Sequence, residues 1–123
     1  MSCCAALFAE QLEGGAITVD GEGTLITTEQ CLLHENRNPG MSREQIEDEL
    51  RARLGVEAII WLPYGQADDQ DTDGHVDGVA TYVRPGVVLA QTAPDPAHPD
   101  HERMRANLEV LHSARDARGG PLE

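Results

Sequence analysis

Apolar and polar positions alternate most clearly near the start of the chain. Ala16-Ile17-Thr18-Val19 and Thr24-Leu25-Ile26-Thr27 flank the turn-forming Asp20-Gly21-Glu22-Gly23, which predicts a β-hairpin. Residues 28 to 41 are mixed and end in the polar stretch Glu35-Asn36-Arg37-Asn38-Pro39-Gly40. Ser42 and Gln45 then have the spacing of a capping box. The helix they open carries Ile46, Leu50 and Leu54 at intervals of four, a buried stripe, and stops at Gly55. Ala58-Ile59-Ile60-Trp61-Leu62 is a continuous apolar run, the pattern of a strand covered on both faces.

An acidic loop, Asp68-Asp69-Gln70-Asp71-Thr72-Asp73-Gly74-His75-Val76-Asp77, separates this half from the next. Strand patterning resumes over residues 76 to 83, with its clearest part at Val79 to Val83. Arg84-Pro85-Gly86 turns the chain into a second strand from Val87 to Ala90. A link containing Pro94, Pro96 and Pro99 leads to a helix expected from about Asp100 to Asp116, with Met104, Leu108 and Leu111 on one stripe. The order is β-β-α-β followed by β-β-α, a repeating α/β unit interrupted in mid-cycle. The final helix would need a further strand to cover it, so the chain is expected to be part of a longer fold.

Composition narrows the partners. The chain has 123 residues, enough for one modest core, and 22 acidic against 9 basic residues, a net charge of −13. Such a surface repels nucleic acid and anionic membranes and attracts cations. Every basic residue is arginine, so lysine Schiff-base chemistry and a P-loop are excluded. Cys3, Cys4 and Cys31 form neither a zinc-ligand spacing nor a disulfide framework. No stretch reads as an export signal or reaches transmembrane length, and a reducing cytoplasm is the expected setting.

Candidate chemistry centres on His75 and Asp77. If a strand begins at once there, residues two apart share a face and the imidazole and carboxylate reach one pocket. A calcium loop competes, because Asp69 to Asp77 follows its first nine positions with Gly74 at the turn. However, Ala80 stands where a bidentate glutamate belongs, and a solvated acidic loop is the third alternative. His98 and His101 are three apart at a helix start without a third ligand, which favours a solvated helix end. Cys31, between Gln30 and Leu32, reads as a buried filler, and no serine has a nucleophile-elbow setting. Glu13-Gly14-Gly15 precedes the first strand, where two glycines permit close backbone approach.

Together, several segments resemble the agmatine deiminase family of guanidine-modifying enzymes. They are Leu12-Glu13-Gly14-Gly15-Ala16-Ile17, Val19-Asp20-Gly21-Glu22-Gly23-Thr24, Thr27-Thr28-Glu29-Gln30-Cys31-Leu32-Leu33 and Asn36-Arg37-Asn38-Pro39 in the first half. Ile60-Trp61-Leu62-Pro63, Asp71-Thr72-Asp73-Gly74-His75-Val76-Asp77 and Val83-Arg84-Pro85-Gly86-Val87-Val88-Leu89 follow in the same order. The resemblance runs from residue 12 to about residue 118, with residues 1–11 a non-matching segment and 12–123 an incomplete deiminase-like domain. It implies an α/β pentein fold, a partial five-bladed α/β propeller of about two ββαβ units.

The resemblance also implies roles: Glu13 orients the catalytic histidine, His75 is the general acid and base, and Asp77 grips a guanidinium with paired hydrogen bonds. In this family a cysteine thiolate attacks the guanidinium carbon, ammonia leaves, and water resolves the thiouronium. No metal or organic cofactor is involved. Agmatine is the implied substrate and N-carbamoylputrescine the product, with a peptidyl-arginine deiminase as the alternative. The family's nucleophile lies in a Gly-Gly-x-Asn-x-His-Cys segment that this sequence does not contain, and a further substrate-binding aspartate belongs to a region also absent from it. The isolated chain is therefore expected to be a nearly inactive central fragment. A non-catalytic cation-binding or interaction module remains the other reading, with exposed edges inviting self-association.

Overall fold

The computed structural model describes residues 14–33, 40–67 and 74–123. A short 3-10 turn, Gly14–Ala16, feeds strand β1 (Ile17–Val19), which pairs antiparallel with β2 (Thr24–Thr28). The four-residue helix α1 (Glu29–Leu32) follows at once, and α2 (Arg43–Leu54) then carries the chain back to β3 (Ala58–Leu62), parallel to β2. A second 3-10 turn, Val76–Gly78, precedes the antiparallel pair β4 (Ala80–Arg84) and β5 (Val87–Ala90), and α3 (His101–Ser113) closes the order.

The predicted hairpins, the α2 cap and the β3 strand are all present. Ser42 Oγ accepts from the Gln45 N–H at 3.2 Å while Gln45 Oε1 accepts from the Ser42 N–H at 2.8 Å. Gly55 ends the helix in the left-handed region at φ 71°. β2 is the central strand of the β1-β2-β3 sheet and all five of its residues are buried.

Two cores lie on opposite faces of that sheet. Leu25 and Trp61 pack with Cys31, Leu32, Ile46 and Leu50. Ile26, Ile60 and Leu62 pack instead with Val76, Met104 and Leu111. Successive residues of β3 thus serve different cores, which is why its sequence is apolar throughout. Each fully buried leucine or isoleucine contributes about 1.5–3 kcal/mol.

Three expectations are corrected. Leu54 is 41% exposed, because it is the last helical residue and sits on the rim of a groove beside Val19 and Val56. Residues 76–78 form a 3-10 turn rather than the start of a strand, which begins only at Ala80. The final helix ends at Ser113, not Asp116. The Ser113 hydroxyl bonds the carbonyls of Glu109 and Val110, and Ala114 turns extended. The Ala117 N–H can then donate to Thr24 Oγ1 at 2.8 Å, 93 positions away in sequence.

The two halves repeat one backbone contact. The Glu57 N–H donates to the carbonyl of Gly23, just before β2, and the Glu123 N–H donates to that of Gly86, just before β5.

The link between β1 and β2 is secured by Asp20, whose carboxylate accepts from the N–H groups of Glu22 (2.7 Å) and Thr24 (3.0 Å). Burial pulls its pKa upward, but these backbone bonds, the Thr24 hydroxyl and the Arg118 charge together hold it below the ordinary 3.8. A folded value below the unfolded one contributes stability that is complete above the unfolded pKa and is lost as pH falls through the folded one. Asp20→Asn should therefore be less stable than the native chain near about pH 6, the difference shrinking below about pH 4. Urea melts at several pH values measure this, and a difference that stays constant into acid would contradict it.

Candidate active site

The 3-10 turn at Val76–Gly78 brings His75 and Asp77 together around a third element. Gly74 approaches it in the left-handed region at φ +95°, which glycine alone adopts freely. His75 is 9% exposed, whereas Asp77 is exposed. Gly15 lies opposite them, held in its own turn by the neighbouring Ala16 carbonyl, which accepts from Thr27 Oγ1 at 2.7 Å. A β-carbon placed on Gly15 would stand 2.6 Å from His75 Nδ1 and 2.7 Å from Asp77 Oδ2. The bare α-carbon of Gly15 is therefore the floor on which the ring nitrogen and the carboxylate converge.

His75 and Asp77 thus meet as the sequence implies, but by another route. Strand alternation does not do it; a tight turn folded onto a glycine does. Chemically, an imidazole, a group able to move protons, sits beside a solvent-reachable carboxylate that can hold a cation. Glu13, the third residue singled out, lies outside the described residues.

A second set of contacts fastens the chain at residues 64–67 and 74–78. Asn107 bonds both backbone groups of Tyr64: its Oδ1 accepts from the N–H at 3.2 Å and its Nδ2 donates to the carbonyl at 2.8 Å. Buried Asp100 accepts from the Ala67 N–H at 2.7 Å. Gln66 Nε2 donates to the Gly78 carbonyl (3.2 Å) and to Gln91 Oε1 (2.9 Å). Gln30 Oε1 accepts from the Gly65 N–H at 3.1 Å and from Arg103 Nη1 at 3.0 Å, and the Arg103 guanidinium lies over the Tyr64 ring at 4.9 Å. Thr28 Oγ1 donates to the Gly74 carbonyl at 2.6 Å. Nothing local in sequence marks Thr28, Gln30, Asn107 or Asp100 for these contacts, because the backbone each holds here is distant in the chain.

The other candidates fall into place. Cys31 is fully buried in the first core, as expected of a filler. His98 is exposed, its Nδ1 accepting from the Asp100 N–H at 3.0 Å. His101 is partly buried, a correction to the solvated reading, and donates from Nδ1 to the Ala93 carbonyl at 2.7 Å, which tethers the incoming link. His34 and residues 68–73, which hold most of the calcium-loop pattern, lie outside the described residues. Among the described residues no group of three His, Cys, Asp or Glu side chains is placed to hold a metal ion, and no helix is long and apolar enough to cross a membrane.

A family model described as Porphyromonas-type peptidyl-arginine deiminase matches residues 5–123. The chain belongs to this family. Within the peptidyl-arginine deiminase family, it is 59% identical over 108 residues to an agmatine deiminase of Pseudomonas fluorescens, covering 88% of this chain and 29% of that protein. It is 54% identical over 112 residues to one from Medicago truncatula, covering 91% of this chain and 30% of that protein. Among solved structures, an agmatine deiminase of Enterococcus faecalis superposes with a TM-score of 0.87 at 44% identity, over 91% of this chain and 30% of that one. This deiminase-family chain therefore has the α/β pentein fold class expected from its sequence, and it spans less than a third of the length of these relatives.

Proposed function

We propose that this chain carries part of the guanidinium-hydrolysing site of an agmatine deiminase. The observation that carries the reading is the convergence of His75 Nδ1 and the Asp77 carboxylate on the α-carbon of Gly15. A delocalised, cationic guanidinium is a poor electrophile until carboxylates orient it. Asp77, exposed beside the buried imidazole, is suited to accept paired hydrogen bonds from it. His75 protonates the departing ammonia and then removes a proton from the water that resolves the thiouronium, while Glu13 orients the ring. The agmatine deiminase names of relatives above 50% identity support the same substrate.

The attacking thiolate is not supplied by Cys31, which is buried in an apolar core. Cys3 and Cys4 lie outside the segment that resembles the family, so the 123-residue chain alone is expected to bind agmatine and release no ammonia above background. Calorimetry and an ammonia assay test both halves. Asp77→Asn should weaken agmatine binding about tenfold to a hundredfold by removing a charge-assisted contact. Absence of agmatine binding by the native chain would overturn the reading, and sustained ammonia release would overturn the assignment of the nucleophile to a separate segment. The family description favours one other substrate class, arginine within a peptide. Tighter binding of an arginine-containing peptide than of agmatine would move the proposal there.

A further inference from the structure

We propose that Thr28 and Gln30 are positioning residues for His75, acting through the backbone of Gly74 and Gly65 rather than by touching substrate. The inference rests on the site reading above, since it concerns how that imidazole is held.

The Thr28 hydroxyl has one proton and donates it to the Gly74 carbonyl at 2.6 Å. Its direction is set from behind, because the same oxygen accepts the N–H of Cys31 at 3.2 Å. The Gly74 carbonyl shares a rigid peptide plane with the nitrogen and α-carbon of His75. Fixing that one oxygen therefore fixes the base from which the imidazole projects. Thr28 is completely buried, so water cannot substitute for either partner.

Gln30 holds the other side of Gly74. A β-carbon on Gly74 would lie 2.7 Å from both Cδ and Nε2 of Gln30, so the carboxamide rests directly on the Gly74 α-carbon. Its Oε1 is occupied twice, by the Gly65 N–H and by Arg103 Nη1. Flipping the amide would forfeit both bonds, so its orientation is locked. The Gly65 and Gly74 backbones touch there, a neck between two described parts of the chain. Two side chains from the β2–α1 junction thus clamp the residue before His75, while Arg103 ties the clamp to α3.

The test uses the chain itself, labelled for nuclear magnetic resonance of its histidine rings. Thr28→Val keeps the shape and removes the hydroxyl, and Thr28→Ser restores it. In Thr28→Val the His75 ring signal should move and broaden, while that of His112, exposed at the end of α3, stays in place. Agmatine affinity should fall about tenfold, the scale of one net buried hydrogen bond. Thr28→Ser should recover both. Gln30→Met, similar in length but without the amide, should displace the same signal, and it serves if Thr28→Val fails to fold. A native His75 signal in either folded variant overturns the proposal. Unfolding of both variants also overturns it, by assigning these side chains a purely structural role. If the native chain fails to bind agmatine, the function proposed above falls while the His75 signal still decides the positioning.

Discussion

Replacing Gly15 by alanine is expected to abolish agmatine binding while most of the fold stands. The added methyl would sit 2.6 Å from His75 Nδ1 and 2.7 Å from Asp77 Oδ2, separations that real β-carbons do not sustain. The backbone is not in the left-handed region at Gly15, so the penalty is steric and local. His75 is packed in and has little room to retreat; Asp77 is exposed and can swing outward. The pair then no longer converges. Overpacking of this kind costs about 1–3 kcal/mol of stability, which a thermal melt records, whereas the lost convergence removes binding altogether. Gly78→Ala is the control, because a β-carbon there would be 3.6 Å from the Gln66 side chain, an ordinary contact. Native agmatine affinity in Gly15→Ala would show that the ligand does not lie at this meeting point.

Gly65→Ala is expected to be the most destabilising single change at the neck. A β-carbon at Gly65 would overlap the Gly74 α-carbon and lie 2.6 Å from its carbonyl carbon. The obstacle is backbone, which cannot rotate away as a side chain can. Thr28 also bonds the Gly74 carbonyl, and the Gln30 carboxamide rests on the Gly74 α-carbon. The cost should reach about 3 kcal/mol or more, a large share of the stability of a small domain. A fall in melting temperature on the order of 10 °C is the corresponding readout. A native-like melt would mean that the two segments of the neck separate freely.

Features whose partners lie close in sequence were legible. The Ser42–Gln45 box, the Gly55 stop and the turns around Asp20 and Gly86 are written within a few residues of the structure they produce. β3 was legible for a different reason, since a strand buried on both faces needs apolar residues throughout. The turn at Val76–Gly78 was misread because Val76 and Val79 suit a strand, and only tertiary packing into the second core decides otherwise. Leu54 followed the helical spacing but ran past the surface its helix covers. At the candidate site, His75 and Asp77 were readable from their types and two-residue spacing, and the family resemblance added the roles it implies. The clamp from Thr28 and Gln30 was not, because its bonds reach 46 and 35 positions along the chain.

The bond from Ala117 to Thr24 bears on how the molecule is made. A ribosome must add 93 residues after Thr24 before its partner exists, on the order of 5–20 s of synthesis. The β1–β2 pair can form early, because its contacts are close in sequence. The Gln30–Arg103 tie must wait for the final helix to emerge, 73 positions later. During translation the hairpin can be in place while the His75 neighbourhood is still unfastened, and throughout this interval that neighbourhood lies open to chaperones and proteases.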